Sequence, residues 1–227
     1  MSIAFVASVA ASSGTTGTMD TTGANFLVVV IADQDSLDTN GVSDSKSNTW
    51  VQLTVYPSPH GVCIFYSVNP TVGTLHTFTI SGATFASIAA AAFSGVHATA
   101  PLDQQAGASG TQSGSVTPSE NNELVIAGAY SDGANPTSAD GGFTTPNAAN
   151  VSGNHAGYGL AYLIQTTAAA ANPSWGAGTD SAAIATFKQA AAAGSVKTVQ
   201  GVAFASVKTV NGVAIASVKT INGVATA

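Results

Sequence analysis

Apolar residues along this chain come in short blocks, and the stretches between them are rich in Gly, Ser, Asn and Pro. That rhythm predicts strands at Ser2–Ala10, Asn25–Ala32, Thr49–Tyr56, Val62–Ser67, Thr74–Ile80, Ser87–Ser94, Glu123–Tyr130, Gly157–Gln165 and Ala182–Lys188, with a weaker signal at Gln112–Thr117. β-branched and aromatic residues concentrate in these blocks and turn formers lie between them. Alternation is plain at His76, Phe78 and Ile80 against Leu75, Thr77 and Thr79. Elsewhere the blocks are nearly continuous, as in ELVIAGAY, which suits strands covered on both faces. The alanine-rich block ASIAAAAF has helix propensity but no capping residue and no stripe of long side chains, so it reads as a strand at a close sheet-to-sheet approach; TTAAAAN reads as a loop. Long loops are expected around Asp33–Asn48 and Tyr130–Gly157. Without βαβ spacing, these elements predict an all-β fold, an antiparallel two-sheet sandwich, over residues 1–188.

The texture then changes. Residues 189–194 form a short linker, and residues 195–227 spell one eleven-residue phrase three times: SVKTVQGVAFA, SVKTVNGVAIA, SVKTINGVATA. Asn-Gly is a strong signal for a two-residue hairpin turn. An odd repeat cannot run as one straight strand, because its apolar face would flip at each copy. The chain is therefore expected to reverse at each Gly, with Val210 opposite Val213, Lys208 opposite Ile215 and Val202 opposite Ile221. Val202, Phe204, Val210, Val213, Ile215, Ile221 and Val224 are the candidate assembly residues. A sheet this small is marginal in water, so it is expected to be completed by a partner: another copy of the chain, or a neighbouring subunit.

Composition sharpens this expectation. Charged residues are 7% of the 227 and arginine is absent. Little charge means little opposition to self-association. Two lysines against eleven acids leave residues 1–190 at −9, while three lysines and no acid leave 191–227 at +3. An acidic body without Arg argues against nucleic acid. The longest apolar block, FLVVVIA, is too short to span a bilayer as a helix, and the N-terminus lacks the basic region of a secretory signal. Cys63 is the single cysteine and falls in an apolar strand, so it reads as a packing residue.

Candidate chemistry is sparse. The loop DQDSLDTNGVSD carries Asp33, Asp35, Asp38 and Asp44, oxygen donors of the kind a hard cation such as calcium takes. The spacing is not that of an EF-hand, and a solvated loop with Asp44 capping the turn before Trp50 is the plain alternative. No histidine pair has ligand spacing and no G-x-S-x-G elbow occurs, so an enzyme is not expected. Glu120 and Glu123 would suit a glycosidase only if another strand supplied the geometry. Sugar binding has candidates in Trp175, set in NPSWGAG, and Tyr158, with Trp50, Tyr56, Tyr130 and Tyr162 as further aromatics; packing aromatics are the competing reading.

Three segments, SDSKSNTWVQL, CIFYSVNPTVGTLHTFTISG and AAAAFSGVHATAPLD, together resemble a jelly-roll β-sandwich domain found in bacteriophage and bacterial surface proteins. The likeness spans about residues 2–188, and the tail is similar to C-terminal repeats of some phage structural proteins. The resemblance implies fold and setting rather than activity, and no catalytic residues. Where that domain often has an acid before its aromatic-Ser-Gly, this chain has Ala92. The expectation is a virion surface protein, a decoration or fibre component made in a bacterial cytoplasm. A carbohydrate-binding adhesin and an extracellular filament subunit are the alternatives.

Overall fold

The computed structural model describes residues 1–191 except 13, 36–40, 58–60, 83–84, 135 and 150–155, together with the backbone of six residue pairs in the tail. Two units are distinguished, Ser2–Ala190 and a tail of Ala191–Ala227 with Met1. Among the described residues there is no helix.

The body is an antiparallel two-sheet sandwich. The first sheet holds β1 (Ala4–Ala11), β7 (Ala86–Ser94), β2 (Phe26–Asp33), β5 (Gly61–Val68) and β4 (Val51–Gln52), in that order. The second holds β8 (Leu102–Ser109), β12 (Ser181–Phe187), β9 (Glu123–Asp132), β11 (Ala156–Gln165) and β10 (Thr144–Ala149). A separate pair, β3 (Gly41–Asp44) with β6 (Phe78–Ser81), accompanies the first sheet. The chain completes one sheet before starting the other. A jelly roll passes back and forth between its sheets, so the coarser description, an all-β antiparallel sandwich, is the one that applies.

The two sheets repeat one design. Position by position, β1-β7-β2-β5-β4 matches β8-β12-β9-β11-β10 in chain order and in pairing. Both first strands bulge at the same place: Val6 is the extra residue opposite Phe93 and Ala92, and Asp103 is the extra residue opposite Phe187 and Thr186. After the first strand each half makes two isolated bridges, Thr15 to Thr79 and Met19 to His76 in one, Gln112 to Ser174 and Val116 to Ala171 in the other. Across the sandwich, β11 packs on β7 and β2 while β5 packs on β12 and β9, the same relation seen from the other half. An approximate two-fold axis therefore lies between the sheets. Counterpart aromatics obey it: Phe93 meets Tyr162 at 5.3 Å and 74°, and Phe187 meets Tyr66 at 5.4 Å and 63°.

Burial explains the continuous apolar blocks. Phe26, Val28, Val30, Ile64, Leu124, Ile126, Leu160 and their neighbours fill the core between the sheets. The alternate residues Leu27, Val29, Ile31, Cys63, Phe65 and Ile88 face outward, and a second core forms there under Phe78, Met19 and Trp50. The outer face of the second sheet has its own cover, with Trp175, Ala139 and Phe143 over Ala127, Ala129 and Ala161. Each sheet is thus covered twice, and FLVVVIAD is buried at every position. ASIAAAAF is indeed a strand, central in its sheet, with no exposed residue.

In the tail, β13 (Thr198–Val199) pairs with β14 (Val202–Ala203), β15 (Thr209–Val210) with β16 (Val213–Ala214), and β17 (Thr220–Ile221) with β18 (Val224–Ala225). The register recurs: Val199 opposite Val202, Val210 opposite Val213, Ile221 opposite Val224. Two residues separate the strands in each copy. Phe204 and Ile215 lie outside the described residues.

Candidate functional site

Among the described residues of the acidic loop, Asp44 has the most hydrogen-bond partners. Asp44 ends β3, and its carboxylate takes N–H donors from five directions: Lys46 N at 2.8 Å, Asn48 N at 3.2 Å, Asn48 Nδ2 at 3.1 Å, Trp50 Nε1 at 2.8 Å and His76 Nε2 at 2.9 Å. Burial would raise its pKa, but the hydrogen bonds from His76, Lys46 and Trp50 outweigh that and hold it below the usual carboxylate range. Asp44 therefore anchors the turn before Trp50. Asp33 is buried at the end of β2 and accepts Asp35 N at 2.9 Å; Asp38 lies outside the described residues. Among the described residues no group of three or more His, Cys, Asp or Glu could hold a metal ion.

On its far side, His76 meets Thr21 Oγ1 at 3.0 Å through Nδ1. Thr21, His76 and Asp44 so line up as a hydroxyl, an imidazole and a carboxylate, the order of a nucleophile relay. The array is sealed. Thr21 and His76 are fully buried, and Gly73 holds the Thr21 hydroxyl through both its N–H and its carbonyl. With no room for a substrate at the hydroxyl, it pins the cover of the first sheet.

The aromatic candidates for sugar are also interior. Trp175 is 3% exposed, donates Nε1 to Ser113 Oγ at 3.1 Å and packs its six-membered ring against Gly159. A Cβ at Gly159 would come within 2.4 Å of the indole. Tyr158 packs in the core between the sheets, and burial raises its hydroxyl pKa. Neither ring is a platform for a ligand; the flanking Gly and Pro that suggested exposure serve close packing instead. Glu123 is buried and accepts Glu120 N at 3.1 Å within a turn, so these two acids do not face each other across a cleft. Cys63 is buried, as its strand context implied, with Sγ 3.3 Å from Leu53 O.

The open feature lies at one end of the sandwich, where β2 and β9 both finish. A cleft of about 420 Å³ is lined there by Gln34, Pro57, Tyr130, Asp132, Asp180 and Ser181. Gln34 and Asp132 are counterparts in the two halves, so the cleft sits where the pseudo-two-fold axis leaves the body. Asp180 Oδ2 accepts Asp132 N, and Asp180 N donates to Tyr130 O at 2.9 Å, which ties the two acids to one backbone frame. Burial, then the charges of Asp132, Asp180 and Asp33, push the Tyr130 hydroxyl up to about 12. It stays protonated at any physiological pH. Of these residues only Tyr130 was a sequence candidate, as one of several tyrosines. The others come together through strand ends far apart in the chain, which no local pattern marks.

Compared with known proteins, the chain matches no family model, no curated protein and no solved structure.

Proposed function

We propose that this is a non-catalytic surface structural protein whose C-terminal repeats assemble it, with further copies of the chain or neighbouring virion subunits as partners. The observation that carries this reading is the recurrence of one hairpin register in all three repeats. A two-stranded hairpin has no core of its own and is at best marginally stable in water. Three of the same register in series offer repeated short β pairs, a pattern that strand pairing with another chain would complete. The body needs no such completion, because Ser2–Ala190 closes its own core on both faces of both sheets. The −9 body and +3 tail also attract across neighbouring copies. The surface setting rests on the resemblance to phage and bacterial surface sandwiches and on the low charge.

Removal of residues 195–227 tests the reading directly. Light scattering coupled to size exclusion should find the full chain as an oligomer and the truncated chain as a folded monomer. An oligomer of the same size after truncation overturns the proposal.

A further inference from the structure

The two-fold relation exposes an inequality at the axis. Ser87, near the start of β7, donates Oγ to Ala156 O at 2.8 Å. Its counterpart at the start of β12, Ser181, is 1% exposed, and its Oγ has no hydrogen-bond partner. A buried hydroxyl left unpaired is destabilising unless something else occupies its place. Ser181 lines the axial cleft. Beside it Gly61 has φ of 131°, and a Cβ there would stand 2.7 Å from Ser181 Oγ and 2.9 Å from Pro57 Cδ. The same Cβ would stand 2.2 Å from Tyr56 O, so the glycine lets the backbone before β5 pack closely beside the unpaired hydroxyl without supplying it a side-chain partner.

The lining defines the chemistry. Asp132 and Asp180 accept hydrogen bonds, Gln34 and Ser181 both accept and donate, and Tyr130 remains a donor. No Lys or Arg lines the cleft, which disfavours phosphate and carboxylate ligands. Four of the six lining residues, Gln34, Asp132, Asp180 and Ser181, have polar side chains, which disfavours a lipid chain. Room of about 420 Å³ falls in the range of small-molecule sites and accommodates one or two sugar rings. We infer that this cleft binds a neutral, hydroxyl-rich glycan residue, held by hydrogen bonds from Ser181, Asp180, Asp132 and Gln34 rather than by stacking on an aromatic face.

Saturation-transfer NMR on the full-length protein with a panel of neutral mono- and disaccharides tests this, with Ser181→Ala and Asp180→Asn as variants. At least one sugar should receive saturation. Ser181→Ala should weaken it about fivefold and Asp180→Asn by more, as expected for loss of a neutral and a charged hydrogen bond. Because the Ser181 hydroxyl has no protein partner, Ser181→Ala should leave the melting temperature unchanged or higher. A panel with no response overturns the inference, as does a melting-temperature shift with calcium chloride alone and none with sugar. A Ser181→Ala variant that melts lower and binds sugar as well as the parent also overturns it, since the hydroxyl would then be structural. None of these outcomes bears on the role of the tail.

Discussion

The N-terminal and C-terminal halves of the body share a plan and differ in how they treat polar groups. Asn25, just before β2, donates Nδ2 to Val96 O at 2.7 Å and accepts Val96 N at 3.2 Å. Its counterpart at the start of β9 is Glu123, whose Oε1 accepts Glu120 N while the buried Oε2 has no partner. The first half covers its outer face with a strand pair pinned by the Asp44–His76–Thr21 array. The second half has Ala171 where the first has His76, and it holds its cover with Trp175 on Gly159. One half fastens its cover with a buried polar network and the other by packing an indole against bare backbone. A shared strand order therefore leaves wide freedom in chemistry, provided each sheet is sealed on both faces.

The comparison breaks most completely if the halves are parted. Cleavage of the connection between Ala98 and Thr99 leaves each half with one face of the central core exposed. Expressed separately, the fragments should aggregate or pair with themselves; expressed together, they should reassemble into a 1:1 complex with the far-UV spectrum of the intact chain. Two fragments that each fold as stable monomers would contradict the two-fold packing.

Next in size is Asp44→Ala. It strands His76 Nε2, Trp50 Nε1 and the Asn48 amide in a buried setting and should destabilise the body by about 3–5 kcal/mol, measured by urea unfolding. The same carboxylate predicts acid sensitivity. Its folded pKa is depressed, so its contribution is full above the unfolded pKa near 3.8 and disappears as pH falls through the lower folded value. The parent should lose stability in that acid window, and the Ala variant should show a flatter profile there.

The smallest effect is a gain. Burial, then the charge of Asp103, raises the Glu123 pKa. With a raised folded pKa, its favourable contribution is present below the unfolded value and is lost as pH rises through the folded one. Glu123→Gln should therefore raise the melting temperature at pH 7 by a small margin that vanishes toward pH 4. An equal shift at both pH values would mean that the charge is not the cause.

Much of this architecture is readable in the chain. The blocks at Asn25–Ala32, Val62–Ser67, Ser87–Ser94, Glu123–Tyr130, Gly157–Gln165 and Ala182–Lys188 form the strands expected of them, within a residue or two at each end. Three strands escape the pattern. β8, LDQQAGAS, is partly exposed and lacks β-branched residues, because only one side of it meets the core. β10 contains Pro146, which a central strand excludes but an edge strand admits, here inside a register shift between Thr144 and Asn147. β3 falls in a stretch whose Asp and Asn signal loop, and its pairing with β6 is decided at a distance. Conversely, Thr49–Tyr56 gives only the two residues of β4, and Gln112–Thr117 only isolated bridges. The duplication is invisible in sequence because FLVVVIAD and LVIAGAYS share a burial requirement rather than residues. Val30 and Gly128 show why: they are counterparts in contact on the axis, where a Cβ at 128 would stand 2.8 Å from Val30, so one of the pair must be small. The cleft was hidden for a related reason, since Gln34, Asp132 and Asp180 look like ordinary turn residues until three strand ends converge.

The order in which the sheets are filled has a consequence during synthesis. The ribosome delivers the whole first sheet before β8 begins, and Phe26 waits for Phe187, its partner at 4.7 Å, until the body is almost complete. From the end of β7 at Ser94 until β12 is made at Ser181–Phe187, the nascent chain carries one finished sheet with an uncovered greasy side. A stalled or prematurely ended product is then a sticky half, and the yield of this protein in a cell will depend on how quickly its second sheet arrives.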